Sequence, residues 1–495
     1  MTRLLLALSA LLLATTASHA NNVSVTNVTL GNLDAGSGTT DVTFDLSWDN
    51  SWRLSSGPSN WDAAWVFVKF RVGGQPWRHA KLLGVGNAPA GGSVDVYDEV
   101  GAMVYRDADG SGDVSFAGVA LTWGYDDDGV APNAVVDVQV FAVEMVYVPE
   151  GAFSLGTGRA LGADPADEEV NEFYTRFGPF NIIVPYTVNG EAQIPIADAA
   201  GSLYYAADNG TGGDQGGPIP AAFPKGFAAF YTMKYEVSEG QWVSFFNTLT
   251  DAQQVENDIT GPGGKNSDAV SSRNTVAWPD AGNATTTAPD RAVSFVSPAQ
   301  LLAYLDWAGL RPLTELEYEK AGRGPVPSVN EEFAWGTAEI HAKAYTLADE
   351  DTATERITDP GVRIGNANYT VGSLGGPIRC GAVAASAADA TREETGGGYY
   401  GIMELSGNLY ERVVTVGNVR GRAFAGAHGN GRLTTTGDAD LGDWPDGTTG
   451  EGFSYRGGSF SNPSDFLRLS DRFDGASLIA SGNIRLGFRG ARTAQ

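Results

Sequence analysis

Val42, Phe44, Leu46 and Trp48 alternate with polar residues, and Val136, Val138, Val140 and Ala142 repeat the pattern. A period of two is that of a strand with one buried face. Between these segments, Trp65 to Phe70 is almost continuously apolar, which predicts a strand covered on both sides. Turn residues such as Asp49-Asn50 and Gly73-Gly74 separate the segments. Residues 21 to 143 are therefore expected to form an all-β domain, a β-sandwich. The composition shifts near Glu144, and helical spacing then appears locally. Ser238 with Gln241 is a capping box ahead of Trp242, Phe245, Phe246 and Leu249. Ser297, Pro298 and Gln300 precede Leu301, Leu302 and Leu305 in the same way. Thr314-x-x-Glu317 predicts a third helix over residues 315–322. The stretch 160–220 is polar and glycine-rich and reads as elaborated loops. Residues 144–495 thus read as an α+β domain.

Composition adds bounds. The 65 glycines and 10% aromatic residues suit a loop-rich, β-heavy globular chain. The formal charge of −27 argues against nucleic-acid binding, which needs lysine and arginine against phosphate. Arg3, the apolar run Leu4–Leu13 and Ser18-His19-Ala20 have the order of a cleaved signal peptide over residues 1–20. The run is too short to span a bilayer, and no second long apolar segment follows. Export without a transmembrane anchor is expected, to the medium, the periplasm or the cell surface. Cys380 is the one cysteine, so an intramolecular disulfide is impossible. Its apolar and small neighbours predict a buried thiol, with redox use the alternative. Trp48, Trp52, Trp61, Trp65 and Trp77 are expected mostly in the core, with sugar stacking the alternative. Asp107, Asp109, Ser111 and Asp113 have the spacing that opens a calcium loop, but position twelve is Gly118 rather than glutamate. That run is either a Ca²⁺ site or an acidic hairpin turn.

Six segments carry a more specific signal: Met145 to Phe153, Leu310 to Glu319, Phe333-Ala334-Trp335-Gly336, Gly407-Asn408-Leu409-Tyr410-Glu411, Arg456-Gly457-Gly458-Ser459-Phe460 and Leu486-Gly487-Phe488-Arg489. Together, over about 350 residues, they resemble the formylglycine-generating enzyme (sulfatase-modifying factor) family. The resemblance implies a C-type lectin-like fold holding structural Ca²⁺. The implied ligands are the Glu404 and Glu411 side chains with the main-chain carbonyls of Gly407 and Leu409. A second site is implied to begin at Asn368. The family's oxidation of a substrate cysteine uses two cysteines that grip copper after the Gly-Gly-Ser. Those positions here are Asn462 and Leu467, and the cysteine that follows the Leu-Gly-Phe-Arg is Gly490. Neither asparagine nor leucine is the soft thiolate that selects Cu(I), so no catalytic residue is assigned and copper is not expected. Ser459 is retained, and His428 is the partner a nucleophilic role would require. The mature chain's other histidines, His79 and His341, form no metal-binding spacing with it.

The expectation is an exported, non-catalytic binding or scaffold protein with a protein or glycan ligand. Its ligand surface would carry Ser459, Asn462, Asp465, Arg468 and Arg472. The blander alternative pairs Arg468 and Arg472 with Asp465 and Asp471 on a solvated face. The alternative function is an oxidoreductase related to formylglycine-generating enzyme, acting in sulfatase maturation or without cysteines.

Overall fold

The alternating segment forms the strand Thr39–Arg53, in which Val42, Phe44, Leu46 and Trp48 are all buried. It lies in a four-stranded antiparallel sheet in the order Ser24–Asp34, Thr39–Arg53, Gly110–Trp123, Leu82–Asn87. This computed structural model describes residues 22–158, 171–178, 182–205, 212–371 and 374–495. The expected signal peptide falls outside them, and the stretch 160–220 falls only partly within them.

A second, larger sheet faces the first. Its main path runs Arg311–Pro312, Gly490–Thr493, Phe230–Met233, Val136–Val148, Asp62–Val72, Gly101–Arg106, Gly92–Tyr97. The apolar segment around Trp65 is its central strand, and its side chains divide by parity. Ala64, Val66, Val68 and Phe70 enter a core with Val42, Phe44, Leu46, Leu121 and Trp123 from the facing sheet. Ala63, Trp65 and Phe67 enter a second core with Trp242, Phe245, Tyr304 and Trp307. Burial on both faces is what removed the polar half of the alternation. Each large apolar side chain so buried contributes about 1.5–3 kcal/mol. Gly101 is needed beside this strand, because a Cβ there would stand 2.4 Å from the Trp65 ring.

The strand Val136–Val148 joins the two halves of the molecule. Residues 136–146 pair with Asp62–Val72, and residues 145–148 pair with Phe230–Met233. The composition shift at residues 143/144 thus falls inside one strand. Polar ties reinforce the join: Trp65 Nε1 donates to Ala308 O at 2.7 Å, and the buried pair Lys234–Glu144 closes at 2.7 Å.

The three expected helices form as Glu239–Phe246, Pro298–Trp307 and Glu315–Arg323, each with both hydrogen bonds of its capping box. The chain is mostly β with several sheets and few helices. A small sheet places Tyr410–Val414 between Phe453–Arg456 and Leu486–Gly487, which brings three of the sequence motifs side by side. No described helix is long and apolar enough to cross a membrane.

Candidate functional site

The site is built on the helix Glu315–Arg323. Its carboxylates and a set of arginines form a network in which every side chain is at most 2% exposed. Arg311 grips Glu317 at 2.6 and 2.9 Å, and Glu317 also accepts the Thr314 N–H as the capping residue. Arg456 bridges Glu315 and Glu319 at 3.2 and 2.8 Å. Arg323 holds Glu319 at 2.8 Å and Glu332 at 2.5 Å. Arg472 meets Glu315 at 3.3 Å and lies over the Tyr205 ring. Burial pushes the Glu319 carboxyl up, but Arg323 and Arg456 outweigh it and leave it below its ordinary value. The charges of the Leu310 to Glu319 motif are thus the anchor for the strand ending at Arg456.

That anchor fixes the following glycines. Gly457 and Gly458 both have positive φ, and a Cβ on Gly457 would stand 2.4 Å from Leu405 O. Only glycine lets this segment press against the next turn. Gly407 N then donates to Gly457 O at 2.7 Å, and Phe460 N to Asn408 O at 2.8 Å. Ser459 is fully buried and donates to Asn462 Oδ1 at 2.5 Å, while Asn462 Nδ2 donates to the Tyr410 hydroxyl at 3.1 Å. Leu467 is fully buried among Phe333, Trp335, Ala367 and Tyr369.

Against the Gly407–Glu411 turn lie three buried glutamates. Glu236 accepts from Leu409 N at 2.9 Å and from Asn408 Nδ2. Glu404, with φ +53°, accepts from Gly381 N at 2.8 Å. Glu411 is paired with Arg489 at 2.5 Å. One oxygen each of Glu404 (Oε2), Glu411 (Oε2) and Asn368 (Oδ1) is buried with no hydrogen-bond partner. Asn368 belongs to the same neighbourhood, since its carbonyl accepts from Asn408 N at 2.9 Å. Burial pushes Glu404 up to about 7. Burial, then the charges of Glu411 and Glu404, push Glu236 well above the usual carboxylate range. Among the described residues, no group of three or more His, Cys, Asp and Glu side chains is arranged to hold a metal ion by itself.

The model of the sulfatase-modifying factor enzyme 1-like domain matches residues 132–494. The chain belongs to the sulfatase-modifying factor family. No curated protein matches it. The family match begins inside the region read from composition as the β-sandwich, just before the strand Val136–Val148 that the two halves share.

Within this family member, the five residues read from the sequence as a ligand surface are mostly buried. Ser459, Asn462 and Arg472 are buried. Arg472 pairs with Glu315 rather than with Asp465 or Asp471. Arg468 is partly exposed and pairs with Glu331 at 3.1 Å. Asp465 alone of the five is exposed. The Asp107–Asp113 run is a turn entering a strand: Gly110, Ser111 and Gly112 pair with Arg53, Trp52 and Ser51. Asp109 accepts from Ser55 Oγ and Asp113 from Asn50 N; Asp107 and Asp109 lie in the bend and Asp113 in the strand that follows it. His428 accepts from Thr493 N and faces Asp98, while Ser459 Oγ is bonded to Asn462. Cys380 is fully buried, with burial pushing its thiol well up. Sequence reading missed Glu236; its one signal is a lone carboxylate between the apolar residues Tyr235 and Val237.

Proposed function

We propose that the protein is an exported, non-catalytic member of the sulfatase-modifying factor family that acts as a ligand-binding or scaffold protein. One observation carries the reading: the two family thiol positions are committed to structure, Asn462 to hydrogen bonds with Ser459 and Tyr410 and Leu467 to apolar packing. A thiol-based oxidase would have to rely on Cys380, which is fully buried; burial and the charges of Glu404 and Glu236 push its thiol well up, so the reactive thiolate is disfavoured. The many turns and short sheets after residue 148 accord with a C-type lectin-like variant. The ligand is proposed to be a protein or a glycan, approached on the side of Asp465 and Arg468.

Structural Ca²⁺ is part of this proposal. Glu404 and Glu411 would supply carboxylate oxygens and Gly407 and Leu409 main-chain carbonyls, and Asn368 would begin a second site nearby. Hard oxygens of these kinds are what Ca²⁺ takes. Three orphaned acceptor oxygens support the assignment. So does charge: fully ionised, the three carboxylates against the Arg489 guanidinium would carry two negative charges, which one divalent cation would cancel and so favour their ionised forms. The cation would hold the turn in place and neutralise its carboxylates.

The test is turnover. The purified protein, with copper and O₂, is given a peptide carrying Cys-x-Pro-x-Arg, and mass spectrometry follows the cysteine. No formylglycine beside an active control is expected. Conversion would overturn the non-catalytic reading.

A further inference from the structure

A cleft of about 460 Å³ opens where the N-terminal sheets meet the C-terminal half, away from the residues of the Gly457 and Gly407 segments. Lys69, Trp77 and Arg78 line it from one side, and Trp307 and Arg432 from the other.

Lys69 is its least ordinary feature. The side chain is 2% exposed and its Nζ donates to Trp307 O at 2.7 Å and Gly431 O at 2.8 Å. No carboxylate among the described residues forms an ion pair with it, although buried charges are normally paired. Lys234, by contrast, holds Glu144; Lys320 is bonded to main-chain oxygens as Lys69 is, and Asp306 is the acid whose charge reaches Lys69. Arg432 is exposed and likewise has no ion pair among the described residues. Arg78 spends a donor on the main-chain oxygen of Asp128. Three cations around one cleft stand out on a chain of net charge −27.

The rest of the lining is not that of a bare anion hole. Trp77 is half-buried, with the Arg71 guanidinium over its ring at 4.7 Å, and its indole lines the cleft. Trp307 Nε1 and His79 Nδ1 are buried and without partners. Asp127 and Asp128 also line the cleft and supply acceptors. Their charge is already answered by Lys81, which pairs with Asp127 at 3.1 Å, and by the Trp123 Nε1 and Lys81 N–H groups on Asp128. Cations, unpaired polar atoms, acceptors and an indole in one concavity match a ring with hydroxyls on its rim and a negative group at one end.

We propose that this cleft binds an acidic sugar, a hexose bearing a carboxylate or a sulfate, with the anion toward Lys69 and Arg432 and the ring against Trp77. The proposal is independent of the reading of the Ser459 region.

Calorimetric titration of the full chain tests it with four probes at equal ionic strength: D-glucuronate, D-glucose 6-sulfate, D-glucose and sodium sulfate. Binding of at least one acidic sugar is expected, with neither D-glucose nor sodium sulfate binding comparably. Arg432→Ala and Trp77→Ala change side chains at the cleft's rim, so they should fold, and each should weaken binding about tenfold or more. Lys69→Met should abolish it. Failure of both acidic sugars to bind would overturn the proposal. So would binding that survives Trp77→Ala and Arg432→Ala unchanged. Sodium sulfate binding as tightly as the sugars would reduce the cleft to an anion site and overturn the sugar assignment.

Discussion

Around the helix Glu315–Arg323, four buried carboxylates (Glu315, Glu317, Glu319, Glu332) meet four guanidinium groups (Arg311, Arg323, Arg456, Arg472). Around the Gly407–Glu411 turn, three buried carboxylates meet one guanidinium in direct contact, Arg489. The two regions touch, since the Tyr318 hydroxyl donates to Leu405 O, and both belong to family signature segments. Their electrostatics differ in kind. In the first, Arg323 and Arg456 overcome burial and keep Glu319 readily ionised. In the second, burial pushes all three glutamates up, and repulsion from the neighbouring carboxylates adds to it for Glu236 and Glu404. A matched network needs nothing further to be stable. An unmatched one, with orphaned oxygens, is where an additional positive charge belongs.

The largest effect should come from breaking the matched network. Arg456→Met leaves Glu315 and Glu319 short of a partner and should cost about 3–5 kcal/mol, the usual penalty for an uncompensated buried charge. Denaturant unfolding measures it. A loss under about 1 kcal/mol would mean that these pairs do not carry the fold.

Asp471 sharpens the comparison, because it lies beside the matched network without an arginine of its own in contact. Burial pushes its carboxyl from 3.8 up to about 8, and the more distant Arg456 offsets only part of that. The unfolded chain therefore releases this proton near pH 4 while the folded chain keeps it until about pH 8. Folding takes up a proton between those limits, so stability falls as pH rises through the window and levels off above it. Asp471→Asn should remove that slope. The variant's melting temperature relative to the parent should be higher at pH 9 than at pH 5. An equal difference at both pH values would show that Asp471 is already ionised in the folded state.

Much of this contrast was hidden in the sequence for a definite reason. Helix starts are local: Ser238, Ser297 and Thr314 each find their reciprocal partner three residues on, so the capping boxes could be read directly. The helix Asp251–Glu256 has the same box at Thr250 and Gln253, but buries only Gln254 and so shows no apolar period. Ion pairing is not local. Asp465, Arg468, Asp471 and Arg472 look like a self-contained charged face, yet Arg472 reaches Glu315, 157 residues away. The alternate acids at 107–113 have a calcium-loop spacing, but spacing does not reveal that residues 110–112 pair as a strand with residues 51–53. Glu404, Glu411 and Asn368, taken from the family resemblance, do lie together, while Glu236 carried no motif of its own.

The unmatched cluster makes a prediction of opposite signs. If Ca²⁺ resides there, chelation should lower the melting temperature; a site kept at 100 times its dissociation constant contributes about 2.7 kcal/mol. Glu404→Gln should then destabilise the Ca²⁺-loaded protein, yet stabilise the chelator-treated one by relieving repulsion with Glu236 and Glu411. Melting curves of both proteins with and without chelator read the four values. A parent protein indifferent to chelator, with no calcium by elemental analysis, would remove the cation and leave Arg489 as the cluster's one compensating charge.

The smallest expected effect concerns the neutral chain between the two regions. Ser459, Asn462 and the Tyr410 hydroxyl form a buried relay of two hydrogen bonds. Asn462→Ala removes the central partner, leaving Ser459 its longer contacts with Ser461 and Tyr410 its hydrogen bond to Asp474, which should cost about 0.5–1.5 kcal/mol, on the order of a typical hydrogen bond. Because no charge is removed, the loss should be the same with and without chelator. The two buried clusters are then separate, and Asn462 serves packing where related enzymes carry a thiol. A variant as stable as the parent would free Asn462 from that structural duty and return it to the candidates for ligand contact. A loss that changes with chelator would couple the relay to the glutamate cluster, and the distinction between a finished network and an unfinished one would have to include the Gly458–Asn462 segment.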